Sequence, residues 1–196
     1  MSNTLQSIDS IAQSGKEENK KPLDPVQKDY EEGKRLFESG EFGGAALALH
    51  NALIGYEQKD DEFGIANACN VLGKVCLSRD ENESALSHFK RVLAICDKSN
   101  DRMSIVAVLK ELIKVYKALK QNGKAVATCL DLLDHYQDNR DPQGTVTTLE
   151  EMAQIYELMN EKGKAADAYK TIASIHKNFK HDRMAGDYLK KAEMLS

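Results

Sequence analysis

A chain of 196 residues with 27 basic and 31 acidic side chains, a net charge of −4 and no tryptophan has no overall field to draw it onto nucleic acid or an anionic membrane. Its 41% hydrophobic content is that of a globular protein, and few prolines together with abundant Ala, Leu, Lys and Glu favour helix over sheet. No apolar run reaches the roughly 18 residues of a membrane span, and "MSNTLQSIDSIAQSGKEENKK" lacks the basic start and apolar core of a secretory signal, so a cytoplasmic protein without membrane insertion is expected.

In chain order, residues 1–23 are polar, with the charged run "KEENKK" before Pro22, and read as a flexible tail with no more than a transient helical turn around Leu5 to Ile11. The folded region is expected over 24–196. Asp24 is placed to cap a first helix whose opening position suits Pro25. From there a period of 40 residues governs the chain. Ala45, Ala85, Ala125 and Ala165 repeat at that interval, as do Gly33, Gly73, Ile113 and Ala153, then Leu36, Cys76, Tyr116 and Tyr156, and then Leu49, Phe89, Cys129 and Tyr169. Each unit carries two helical stripes separated by a polar turn, "ESGEFGG", "SRDENES", "LKQNGKA" and "MNEKGKA". The units span about 25–60, 61–100, 101–140 and 141–180, with Asp61, Asp101 and Asp141 as caps of the later first helices. Residues 182–195 repeat only the start of a unit. That stretch predicts a lone capping helix and nine helices in all: an all-α solenoid of four helix-turn-helix repeats plus a C-terminal cap.

A glycine inside a helix costs roughly 1 kcal/mol relative to alanine, so Gly73 in "NVLGKVC" is read as the place where the two helices of its unit cross closely. Cys69, Cys76, Cys96 and Cys129 form no Cys-x-x-Cys pair, lie at apolar helical positions and read as buried hydrophobes. His50, His88, His135 and His176 lack metal-binding spacing. "GEFGG" follows a helix and has no Lys-Ser/Thr, so it is a turn and not a phosphate loop. No catalytic set can be argued from spacing, and no cofactor or metal is expected.

At these residues the chain resembles the tetratricopeptide repeat family, whose pattern runs from a large residue through Leu-Gly and Tyr to Ala and an aromatic. The second unit carries Cys69, Leu72, Gly73, Cys76, Ala85 and Phe89 at those offsets, and the fourth carries Leu149, Met152, Ala153, Tyr156, Ala165 and Tyr169. The third has Ile113 in place of the small residue and Cys129 in place of the aromatic; the first has Glu32 where Leu is usual. The usual Pro at the end of the second helix is absent, and the repeat is 40 residues, the longer type. The resemblance implies a right-handed solenoid whose first helices line a concave, peptide-binding groove. Carried over by register, that groove presents Tyr30, Lys34 and Phe37, then Asn67, Asn70, Lys74 and Leu77, then Lys110, Lys114 and Lys117, then Glu150, Gln154 and Glu157. It reads as apolar at one end, basic in the middle and acidic at the other, with Asn67 and Asn70 gripping a peptide backbone.

The expected function is that of a non-enzymatic adaptor or scaffold holding an extended, acidic segment of another protein. The alternatives are a self-assembling homo-oligomer, in which the groove of one copy receives an edge or the N-terminal tail of another, and a secretion-type chaperone.

Overall fold

The computed structural model describes residues 24–195; the tail expected over 1–23 lies outside them. The described residues contain nine helices and no strand: α1 (Pro25–Glu38), α2 (Phe42–Gln58), α3 (Glu62–Ser78), α4 (Asn82–Ser99), α5 (Arg102–Ala118), α6 (Asn122–Asp138), α7 (Pro142–Leu158), α8 (Lys162–Asn178) and α9 (Asp182–Glu193). Each packs on its neighbours in sequence, and turns of two or three residues make consecutive helices antiparallel. The result is an α-solenoid, in which α1, α3, α5, α7 and α9 run the same way and form one row.

The backbone repeats at half the sequence period. A residue with positive φ closes every helix from α1 to α8: Gly40, then Asp60, Asp80, Asn100, Lys120, Arg140, Asn160 and Lys180, each 20 residues after the last. At such a position the amide of the left-handed residue and that of the next residue both turn back to the helix end, as Asp60 does to Glu57 (3.2 Å) and Asp61 to Tyr56 (3.0 Å). Asn and Asp adopt this conformation readily, whereas Lys and Arg enter it at a cost of roughly 1–2 kcal/mol.

Three of the expected caps form. Asp61 accepts from the Gly64 amide (2.9 Å), Asp101 from Ser104 (3.2 Å) and Asp141 from Gly144 (2.9 Å). Asp24 makes no such bond: its carboxylate is taken by Lys59 at the end of α2, tying the start of α1 to the end of its partner helix. Asp182 is the first residue of α9 and not its cap, which is His181.

The core runs the length of the array. Within the second unit a β-carbon on Gly73 would lie 2.7 Å from the Phe89 ring, and Phe89 is fully buried. Register gives the size-matched pairs Gly33–Leu49, Ile113–Cys129 and Ala153–Tyr169 in the other units, all of them buried. A second close approach joins successive units. Tyr56 packs on Gly64 and Tyr136 on Gly144, each with ring atoms 2.2–2.3 Å from where a β-carbon would stand. All four cysteines are free and buried; burial pushes the Cys69 thiol up to about 11 and Cys129 up to about 12, so both stay protonated near neutrality.

The two ends differ. Lys28, Glu31, Glu32 and Arg35 are at least partly solvated on α1, at the register of the buried Ala68, Val71, Leu72 and Val75 of α3. That polar row closes the array on its first side. At the other end α9 buries Ala185 and Ala192. Its Tyr188 stacks on His176 (5.4 Å between centroids) and Tyr169 (6.2 Å), and donates its hydroxyl to Glu150 of α7. Lys191 lies 4.9 Å from the Tyr188 ring centroid. Leu189, by contrast, is 47% exposed, although Leu109 and Leu149 at the same register are 4% and 7% exposed. No second helix covers it among the described residues.

Candidate binding groove

Two of the hollows among the described residues lie along the row of first helices. The larger, about 680 Å³, lies between α5 and α7 over α6. Met103, Val106, Ala107 and Ile113 form its α5 wall, Leu132 and Tyr136 come from α6, and Gly144, Thr147 and Thr148 form much of its α7 wall. The side chains at 107, 144, 147 and 148 are small and leave the space between the helices unfilled. The Thr147 and Thr148 hydroxyls donate to the Gln143 and Gly144 carbonyls of their own helix (3.0 and 2.9 Å), so neither offers the hollow a free donor. A smaller hollow, about 100 Å³, lies between α3 and α5 and is lined by Phe63, Asn67, Asn70 and Ala107 among others. Ala107 borders both, which makes one surface of them.

The charges on this surface are more balanced than their positions in the sequence imply. Lys117 is ion-paired with Glu151 of α7, Lys114 with Glu111 at 3.0 Å and Lys34 with Glu31 at 3.5 Å. Among the described residues neither Lys74 nor Lys110 is in an ion pair. The Lys110 ammonium stands 5.6 Å from the Tyr136 ring centroid, inside the larger hollow. At the far end Glu150 is engaged by Tyr188, Glu157 accepts from the Tyr169 hydroxyl at 2.8 Å, and Gln154 is exposed. At the near end Tyr30 meets Tyr56 edge to face (6.3 Å) and Phe37 packs beside Phe42 (6.0 Å), both half-buried against the core. These two aromatics brace the first unit, and Lys34 lies over Tyr30.

Two side chains that the sequence reading passed over stand out. Phe63 is 75% and Met103 82% exposed, each one turn before Asn67 and Ala107 on the same helical row. Their signal was present in the register, since positions 63, 67 and 70 recur as 103, 107 and 110. The larger hollow therefore combines apolar walls, the exposed Met103 on its rim and Lys110 outside any ion pair, beside three carboxylates, Glu111, Asp141 and Glu151, that are engaged by Lys114, the Gly144 amide and Lys117. That set fits an aliphatic group beside an anionic one that meets Lys110. Among the described residues no group of three or more His, Cys, Asp and Glu is placed to hold a metal, and no helix is long and apolar enough to cross a membrane.

No family model and no curated protein sequence matches the chain. Solved structures do. The apo form of RapI superposes with a TM-score of 0.68 at 14% identity, over 91% of this chain and 65% of that one. A putative kinesin light chain from Podosopora anserina with nearly identical TPR-like repeats gives 0.66 at 14%, over 88% and 96%. A Rap protein complexed with competence and sporulation factor gives 0.57 at 17%, over 87% of this chain and 52% of that one. This chain thus spans about half to two-thirds of the two Rap proteins and nearly the whole of the repeat protein. At these identities the likeness is one of fold, and the fold is a tetratricopeptide-type repeat solenoid.

Proposed function

We propose that the chain is a non-enzymatic scaffold that binds an extended segment of another protein across its first helices, in the groove that the resemblance makes concave. An aliphatic side chain of the ligand enters the α5–α7 hollow, a neighbouring carboxylate meets Lys110, and Asn67, Asn70 and Lys74 receive the peptide further along. The observation that carries the reading is the pairing of an apolar hollow of about 680 Å³ with an unpaired lysine on its wall. A solenoid of this fold seen in complex with competence and sporulation factor supports it.

The relative weights follow from the chemistry. Burying one aliphatic side chain is worth about 1.5–3 kcal/mol, whereas an exposed ion pair is worth about 0–1 kcal/mol and weakens with salt. The hollow should therefore decide affinity, and the lysine should decide sequence preference. A display library of random 12-residue peptides, about the length that crosses three or four helices, tests this when selected on the full chain. Selected sequences are expected to place an aliphatic residue within two positions of Asp or Glu. Filling the hollow by Ala107→Phe, at an exposed position, is expected to weaken them roughly 50-fold, in keeping with the loss of one such burial. Lys110→Glu is expected to weaken them about five- to tenfold and flatten their salt dependence. Selected peptides indifferent to both changes would place the binding surface elsewhere.

A further inference from the structure

We infer that an occupant of the α5–α7 hollow is the chain's own N-terminal segment, seated through Leu5, Ile8, Asp9 and Ile11. This rests on the reading of the hollow as a peptide site and names a ligand for it. The first support is complementarity. The hollow offers apolar walls and one lysine outside any ion pair, Lys110, while the carboxylates on its lining, Glu111, Asp141 and Glu151, are already engaged by Lys114, the Gly144 amide and Lys117. Residues 1–15 carry three branched aliphatic side chains, Leu5, Ile8 and Ile11, and a single charged side chain, Asp9, among them. The charged run "KEENKK" that follows lies between this stretch and the fold, where it has only to span distance.

The second support is reach. Residues 10–24 connect Asp9 to the start of α1, and 15 residues extend to roughly 50 Å. From α1 to α6, which floors the hollow, there are five successive helix contacts. At about 8–10 Å each these sum to at most roughly 50 Å, and the straight path is shorter than that zigzag. The segment also leaves at the proper level. Asp24 sits at the N-terminal end of α1, and the hollow is lined by Met103, Asp141, Gln143 and Gly144 from the N-terminal ends of the parallel α5 and α7.

The third support is that the nearest alternative seat is unsuitable. A preceding helix of the array would stack on the side of α1 that carries Lys28, Glu31, Glu32 and Arg35, and Arg35 there is bonded to Glu32 at 2.7 Å. An aliphatic stripe gains nothing on that polar row. Occupied by its own segment, the groove admits another protein's peptide only by exchange, and the affinity an outside ligand shows is reduced by the fraction of molecules in which the groove is open.

The test uses a synthetic peptide of residues 1–15, fluorescently labelled at its C-terminus, and three full-length proteins: the parent, the triple variant Leu5→Ser/Ile8→Ser/Ile11→Ser, and that triple variant with Ala107→Phe added. The triple variant is expected to bind the peptide at least tenfold more tightly than the parent, and Ala107→Phe is expected to abolish the gain. Equal binding by parent and triple variant overturns the inference. So does a gain that survives Ala107→Phe, which would seat the segment elsewhere, as on the exposed Leu47 and Ile54 of α2. The library peptides separate the two levels of the argument. If they depend on Ala107 while the 1–15 peptide does not bind, the inference fails alone; if they ignore Ala107→Phe, the reading of the hollow fails with it.

Discussion

Gly73→Leu is expected to lower the melting temperature by roughly 5–10 °C. The added β-carbon would stand 2.7 Å from two atoms of the Phe89 ring and 2.9 Å from a third, and Phe89 is fully enclosed with no space to turn into. Overpacking of this kind costs about 1–3 kcal/mol, and for a chain of this size each kcal/mol moves the midpoint by about 2–4 °C. Because units share their interfaces, the loss is expected across the array and not in the second unit alone. The third unit supplies its own rescue: it pairs Ile113 with Cys129 at the same crossing. Phe89→Cys is therefore expected to recover much of the stability lost in Gly73→Ile. Gly123→Ala, at an open position with nothing within 4 Å of the new carbon, should leave the midpoint unchanged or raise it. A melting temperature indifferent to Gly73→Leu would remove the crossing from the account of stability.

The second large effect is expected at α9. Tyr188 joins α9 to both helices of the fourth unit, through its rings' stacking on α8 and its hydroxyl on Glu150 of α7. Tyr188→Ala is expected to cost about 2 kcal/mol, below the 3–5 kcal/mol of a fully buried aromatic because this ring is only partly covered. The loss should appear first as faster amide exchange in α9. Alkaline pH should act on the same contact. Burial first, and then the hydrogen bond to Glu150, push the Tyr188 phenol up to about 12. The folded state thus favours the neutral phenol, and its contribution is complete below the ordinary tyrosine value of about 10 and lost as pH rises through about 12. Exchange in α9 should quicken across that window in the parent. In Tyr188→Phe, which keeps the ring but cannot ionise there, the pH dependence should shrink. Equal exchange profiles for the two proteins between pH 10 and 12 would show that Tyr188 does not control the docking.

The architecture was legible because side-chain packing obeys the 40-residue period: Gly73 under Phe89 and the alanines at 45, 85, 125 and 165 can be counted from the sequence. The 20-residue backbone period could not be counted. Its left-handed positions are filled by Gly, Asp, Asn, Lys and Arg, so no residue type marks them. The failed cap at Asp24 has a similar origin. A carboxylate before a helix serves as cap or as ion-pair partner according to whether a lysine lies opposite, and Lys59 is 35 residues away in sequence.

The groove was half legible. Register put Asn67, Asn70, Lys74, Lys110 and Lys114 at groove positions; of these, Asn67 and Asn70 line the smaller hollow and Lys110 and Lys114 the larger, while Lys74 lines neither. Register alone could not show that Glu151 reaches across from α7 to hold Lys117, or that Tyr188 engages Glu150, because both partners come from a different helix. Nor could it separate aromatics that brace the fold from apolar groups that face outward. Tyr30 and Phe37 find partners in Tyr56 and Phe42, while Phe63 and Met103 are exposed.

The central claim is that a peptide binds between α5 and α7, and methyl NMR reads it most directly. Met103 and Ala107 are exposed on the rim of the hollow, whereas Met184 on α9 and Met194 just after it are exposed outside the hollow. Titration of a library-selected peptide into protein carrying labelled methionine and alanine methyls is expected to shift the Met103 and Ala107 signals together, saturating at one dissociation constant, with Met184 and Met194 unmoved. Shifts confined to Met184 and Met194, with Met103 and Ala107 silent, would contradict the account and move the binding surface to the uncovered face of α9.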